Sequence, residues 1–321
     1  MNFFKNKRIL ITGGAGYLAT NVISSLRNLD CYIIRLDKPG ISFQQVAGVA
    51  QIEDVCANIC DSTTWKQILK GVDIVFHFAA QTSVYVAEND PRSDLNINVM
   101  PMLNLLETCR QNQYKPIIIF SGTATEVGLT QHIPIDENYP DNPITVYDMH
   151  KLMSEKYLKH YINRGVVFGS ILRLANVYGP GPRSSSADRG VLNMMVRKAL
   201  QGEELTIYGD GKFIRDYVYV DDVVFAFLSA ASNIDMANGR HFVIGSGDAY
   251  TIADAVNLVA ERARLKTGKE IKVTHIDPPS NLSPIEERNF VAKTDCFTEA
   301  TSWRAKVSLK DGIDLMIDVY C

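Results

Sequence analysis

The chain has 321 residues and no apolar run near the roughly 20 residues of a membrane span, so no membrane partner is expected. It has no excess of one charge. Its 33 Lys and Arg face 36 Asp and Glu, and a net charge of −3 gives no basic field for nucleic acid. Cysteine is sparse and scattered: of the six, Cys56 and Cys60 are the closest pair, without a second pair or a histidine at zinc spacing. No metal is expected, and the cysteines read as reduced, packing thiols of a cytoplasmic protein. The first lysines lead straight into an apolar strand, so no signal peptide is expected. Repeats and low-complexity segments are absent too. What remains is a chain long enough to bury a large core, as one α/β domain or two lobes.

What is present begins at residues 8–19, RILITGGAGYLA. Ile9, Leu10 and Ile11 read as a strand buried on both faces. Glycines follow, and then helical spacing with Tyr17, Leu18, Val22, Ile23 and Leu26 on one side. Strand, glycine turn, helix is the context in which this pattern binds a dinucleotide. Gly13 allows the tight turn, and Gly16 lets a pyrophosphate approach the backbone. Ala19 takes the third small position, and the N–H groups that open the helix at Tyr17 and Leu18 face the anion. A second strand is predicted over 31–36 and ends at Asp37. A carboxylate there accepts both adenosine ribose hydroxyls and repels a 2′-phosphate, which favours NAD over NADP. Arg35 and Lys38 flank Asp37 and pull the other way.

Strands are predicted over 51–59, 72–78, 117–121 and 166–174, with helices over 63–69, 91–113 and 147–164. This alternation predicts a Rossmann-type, doubly wound parallel sheet whose ligands sit at the carboxyl ends of the strands. The composition shifts after Ala175. Gly179, Pro180, Gly181 and Pro182 break the chain, and a polar loop is expected over 184–190. A smaller α/β substrate lobe is expected over 176–321, with segments near 213–245 returning to a cofactor domain over 1–175. In that lobe, strands are predicted over 205–208 and 216–219, a helix over 252–264, and a loop over 277–284.

Tyr147 and Lys151 are one helical turn apart and share a face. A phenol with an ordinary pKa near 10 is a poor base at neutral pH, and a neighbouring ammonium stabilises its phenolate. Such a pair fits general acid–base work. Thr123, just past a predicted strand end, can share the substrate proton.

At this point the chain resembles the extended short-chain dehydrogenases/reductases, in particular the nucleotide-sugar epimerases and dehydratases. The motifs that carry the resemblance span almost the whole chain. They are TGGAGYLA, HFAA at 77–80, NINV at 96–99, YDMHK at 147–151, LRLANVYGPG at 172–181, IYGDGKFIRDYVYVDD at 207–222 and Trp303. The resemblance implies that Tyr147, Lys151 and Thr123 are catalytic. It implies that Asp61 touches the adenine of NAD, and that Ala79, Ala80, Gln81, Asn98 and Ser121 line the cofactor. It places Asn176, Arg215 and Arg288 on the diphosphate of a nucleotide sugar, for which planar bidentate donors are suited. Val191 and Tyr208 match positions that line the base. It also implies a homodimer through a four-helix interface.

The sequence departs from the pattern at His150, where a small residue is usual, and at Val127, where an aromatic is usual. Both are expected near the sugar. The dehydratases of this family follow the threonine with an Asp-Glu pair, whereas Ala124 and Thr125 stand here and can do no acid–base work. Glu126 is one residue late, and in an extended segment it would face the opposite way. A reductase would draw on reduced cofactor, usually NADPH, which Asp37 disfavours. The expectation is therefore redox-neutral epimerisation, at C4, with a dehydratase, decarboxylase or keto reductase as the alternative enzymes and a non-catalytic NAD-binding protein as the remote one.

Overall fold

A computed structural model describes residues 1–182 and 190–321. The polar loop expected over 184–190 thus falls, up to residue 189, outside the described residues. The first half alternates as β1 (Arg8–Thr12), α1 (Tyr17–Leu26), β2 (Tyr32–Asp37), β3 (Gln51–Cys56), α2 (Ser62–Ile68) and β4 (Ile74–His77). Then come α3 (Val84–Asn89), α4 (Pro91–Asn98), α5 (Met100–Asn112), β5 (Ile117–Thr123), α6 (Val146–Asn163) and β6 (Phe168–Leu174). Six of these strands and the later strand His241–Ile244 form one seven-stranded sheet. Its order is β3, β2, β1, β4, β5, β6 and then His241–Ile244, with every neighbour parallel.

The buried runs explain that arrangement. Ile9 and Ile11 enter the core on one face, with α1 and the helix Val220–Ser232. Leu10 enters the core on the other, with α2, α5 and α6. The order reverses between β1 and β4, so their carboxyl ends flank the crevice where an open α/β sheet takes its ligand.

One predicted element is divided and one gains a neighbour. The helix expected over 91–113 is two helices, α4 and α5, joined at Val99. Pro101 has no N–H to continue the ladder and disfavours the helical conformation just before it. The strand expected over 216–219 is Tyr217–Tyr219, parallel to Asn176–Tyr178, and a separate short strand, Ile214–Arg215, precedes it antiparallel to Tyr250–Thr251. Between the two strands Asp216 is fully buried and accepts N–H bonds from Ser246, Gly247 and Ala292, which fastens this stretch to two other segments. A further pair, Leu205–Tyr208 with Val273–Ile276, is parallel. No helix among the described residues is long and apolar enough to cross a membrane.

Candidate active site

The glycine loop lies over the crevice. Gly13 has φ +66°, and a Cβ there would meet the Ala79 nitrogen at 3.0 Å. Only glycine lets the loop cross the end of β4 so closely. Gly14 donates its N–H to the Leu36 carbonyl at 3.0 Å, and Gly16 caps α1. The opening N–H groups of α1, those of Tyr17 and Leu18 among them, lack intrahelical carbonyls. The Tyr17 side chain also pins the Gly-Pro turn onto α1, because its hydroxyl donates to the Gly179 carbonyl at 3.1 Å.

Asp37 ends β2, and its carboxylate accepts the Ala15 N–H at 3.0 Å and the Lys38 N–H at 2.8 Å. The acidic group is thereby fixed beside the glycine loop. Arg35, which on sequence speaks for a 2′-phosphate, is turned away. Its Nη2 donates to Asp54 Oδ2 at 2.7 Å, its Nη1 donates to the Gln44 carbonyl at 2.8 Å, and it is 5% exposed. The cradle and the carboxylate fit NAD. Asp61 is exposed at the N-cap of α2, whereas Ala57 still donates its N–H to the Asp37 carbonyl. Asn58 is therefore the first polar side chain past the carboxyl end of β3.

Beyond β4, Ala79 and Ala80 are half-buried against the crevice. Asn98 is buried, and its amide grips Gln81 at both backbone groups: Oδ1 accepts the N–H at 3.0 Å and Nδ2 donates to the carbonyl at 3.0 Å. It shapes the loop. Asp94 Oδ1 accepts from Gln81 Nε2 at 2.7 Å and Asn98 Nδ2 at 2.9 Å, while its Oδ2 lies 2.6 Å from His150 Nδ1. His150 is thus turned toward α4 and holds this network, which includes Gln81. Asp94 was not legible as a site residue, because a first-turn aspartate reads as a helix cap.

At the end of β5, Ser121 is half-buried and Thr123 is buried. The chain then folds into a 3-10 turn, Ala124–Val127, rather than continuing extended. Glu126 bends back: its Oε1 accepts the Thr123 N–H at 3.2 Å, and Oε2 lies 3.0 Å from Arg173 Nε. Arg173 also meets Glu155 at 2.8 Å and Asp141 at 2.8 Å. Three carboxylates thus share one guanidinium. Burial and the Glu155 charge push the Glu126 carboxyl well up, while Arg173 holds that of Glu155 down, at about 2. Val127 is buried with Ile135, Phe290 and Ala292.

Tyr147 and Lys151 occupy the first turns of α6 and are buried at 6% and 4% exposure. Lys151 Nζ stands 4.1 Å over the Phe120 ring centroid, which aims it at the end of β5. A hydrogen-bonded chain joins Thr123 to this helix. Thr123 Oγ1 is 2.7 Å from Thr125 Oγ1, Thr125 donates to Asp148 Oδ1, and Thr145 donates to Asp148 Oδ2 at 2.7 Å. Asp148 follows Tyr147 directly and is fully buried.

Two arginines meet on the other side. Arg215 donates to the carbonyls of Glu286 at 2.7 Å and of Arg288, and it is 2% exposed. Arg288 is 9% exposed, and its Nη2 donates to Asn176 Oδ1 at 3.4 Å. Burial, and then the Arg288 charge, push the Arg215 guanidinium down to about 10. Its nearest acidic group, Glu286 Oε2, is 3.5 Å away and 36% exposed. Arg215, Arg288 and Asn176 are therefore one cluster with a positive excess, suited to a polyanion. Val191 and Tyr208 are exposed at 42% and 53%.

A glycine cradle at the crevice of a parallel sheet, a carboxylate ending β2 beside it and a buried Tyr/Lys pair define an NAD-dependent enzyme of the extended short-chain dehydrogenase/reductase type. The chain belongs to the NAD dependent epimerase/dehydratase family, whose model matches residues 9–245. It is 28% identical over 313 residues to a putative UDP-glucose 4-epimerase of Methanocaldococcus jannaschii, covering 97% of both chains. It is 27% identical over 342 residues to the CDP-paratose 2-epimerase of Salmonella typhi, covering 97% of this chain and 98% of that one. Its fold matches the crystal structure of UDP-glucose 4-epimerase with UDP-glucose from Thermotoga maritima at a TM-score of 0.86, with 30% identity and 98% of both chains covered.

Proposed function

We propose that this protein inverts a carbinol carbon of a nucleotide-diphosphate sugar, at C4 of a UDP-hexose, without net oxidation. The observation that carries this reading is the absence of an acid–base carboxylate in the two positions after Thr123. Ala124 and Thr125 stand there, and Glu126 is fully buried, its Oε1 accepting the Thr123 N–H and its Oε2 3.0 Å from Arg173 Nε. Elimination of water needs both an acid and a base beside the sugar.

In this reading residues 1–175, with the returning segments near 213–245, hold NAD, which supplies reversible hydride acceptance. Asp37 holds the ribose. Asp61 or Asn58 meets the adenine, and Ala79, Ala80, Gln81 and Ser121 line the nicotinamide side, with Asn98 shaping that loop. Tyr147 takes the carbinol proton and later returns it, Lys151 stabilises the phenolate, and Thr123 bonds the reacting hydroxyl. Arg215, Arg288 and Asn176 fix the diphosphate, and Val191 and Tyr208 flank the base. A sugar held by its diphosphate can turn and offer its other face. The names of the relatives favour UDP and C4, and the 2-epimerase among them marks C2 as the competing position.

The experiment is to incubate the protein with UDP-glucose, UDP-N-acetylglucosamine, UDP-glucuronic acid and CDP-linked sugars, adding no cofactor. Mass spectrometry should show unchanged mass, and NMR should show inversion at one carbon. Loss of one water or one carbon dioxide from the preferred substrate overturns the reading.

A further inference from the structure

We infer that Glu286 is a specificity-determining residue: its carboxylate stands in for the diphosphate between Arg215 and Arg288, is displaced when a nucleotide sugar binds, and keeps small free anions out of the cluster. The inference rests on the proposed function, in which these two arginines fix the diphosphate. One oxygen, Glu286 Oε2, lies 3.5 Å from Arg215 Nη2 and 3.6 Å from Arg288 Nη1. Two guanidinium groups at that range, and access to water, both favour the charged carboxylate. Its charge also works against the repulsion that Arg288 exerts on Arg215.

The arginines are held by the backbone and the carboxylate is not. Arg215 Nη1 donates to the Ile214 carbonyl at 3.3 Å and to the Arg288 carbonyl, and its Nη2 donates to the Glu286 carbonyl at 2.7 Å. Arg288 Nη1 donates to the Ile285 carbonyl at 2.9 Å, and Nη2 donates to Asn176 Oδ1. Both guanidinium groups are buried. The turn Pro284–Glu287 is anchored by Ile285, which is buried with Val84, Ala87 and Tyr147. Of the three charged side chains, that of Glu286 is the one half open to solvent.

A diphosphate that reaches this cluster meets a like charge on the groups it needs. The arginines cannot withdraw without leaving buried donors unpaired. The carboxylate can turn out to water, where hydration offsets part of the lost ion pair. Every anion that enters the cluster bears this cost. A nucleotide sugar has contacts of its base and sugar to offset it, and a free phosphate or pyrophosphate has none. The same cost loosens the hold on the product, which keeps its diphosphate and must give way to the next substrate.

The test titrates NAD-bound wild type, E286Q and E287Q with UDP and with pyrophosphate by calorimetry. E286Q keeps the shape of the side chain and the carbonyl that holds Arg215, and removes the charge. It should lower the Kd of both ligands about threefold to thirtyfold, beyond the usual range of an exposed ion pair because both partners are buried. E287Q removes the same charge one residue on, at an exposed position, and should bind both ligands as the wild type does. Unchanged or weaker binding of either ligand in E286Q, or an equal gain in E287Q, overturns the inference. Pyrophosphate carries no base or sugar, so it reports on the arginine cluster alone. A wild type that binds no UDP and turns over no nucleotide sugar, beside an E286Q that gains pyrophosphate, overturns the proposed function and supports the displaced carboxylate.

Discussion

Thr12 Oγ1 accepts the N–H groups of Phe78 and Ala79, each at 3.1 Å, so its own proton goes to His77 Nδ1 at 2.9 Å. His77 is therefore the neutral tautomer with its proton on Nε2. Burial, and then the Lys151 charge, hold it down at about 3, against an ordinary value of 6.5. Between those values the unfolded chain binds a proton that the native one does not, so stability is full above about pH 6.5 and falls as the pH drops below it. Denaturation at about pH 7.5 and about pH 5 should show His77 contributing a loss on the order of 2 kcal/mol, and H77N, which keeps an acceptor for Thr12, should lose less than wild type. An equal loss in both proteins would refute this. Glu126 is raised where Glu155 is lowered, so a neutral isostere suits the site. E126Q should keep turnover and change stability by less than about 1 kcal/mol, while E126A leaves the Thr123 N–H unpaired and should cost about 1–3 kcal/mol. Lost turnover in a folded E126Q would make Glu126 an acid–base group after all.

At the scale of elements, β1, the glycine loop and β2 decide cofactor choice together. Asp37 is anchored by the loop itself, and Arg35 is committed to Asp54 and the Gln44 carbonyl. Titration of apoprotein should show NAD bound more tightly than NADP, and D37A should narrow the gap by removing acceptor and repulsion together. Tighter NADP binding by the wild type would contradict this assignment. The junction of β5 and α6 decides the chemistry. Y147F should retain NAD and the fold, and lower turnover about a hundredfold or more. A near-normal rate would take Tyr147 out of the mechanism.

At the scale of the whole molecule, α5 and α6 turn Met102, Leu106, Leu158 and Ile162 to the sheet. They still leave Leu103, Leu152 and Met153 half-buried, and Met149 is 48% exposed. An amphipathic helix that only covers a sheet leaves a polar outer face. We expect these faces to pair two copies. Light scattering at micromolar concentration should give twice the chain mass, and M153R should shift it toward one. A wild-type monomer would refute the pairing.

The sequence by itself determined the parallel sheet and the order of its first elements, because buried strands and amphipathic helices write their periods locally. It also placed Gly13, Asp37, Thr123, Tyr147 and Lys151 at or near element ends, since the glycine turn and the one-turn spacing are short-range constraints. Only the tertiary structure decided where side chains with a choice of partners went. Arg35 went to Asp54, His150 to Asp94, and Glu126 beside Arg173. Arg288 joined Asn176 across 112 positions, and Thr125 met Asp148 across 23. Such pairings hang on which groups are buried together. A charge or hydroxyl hidden from water must find a partner at the distance the packed elements allow, and that distance is a property of the fold rather than of the neighbours in the chain.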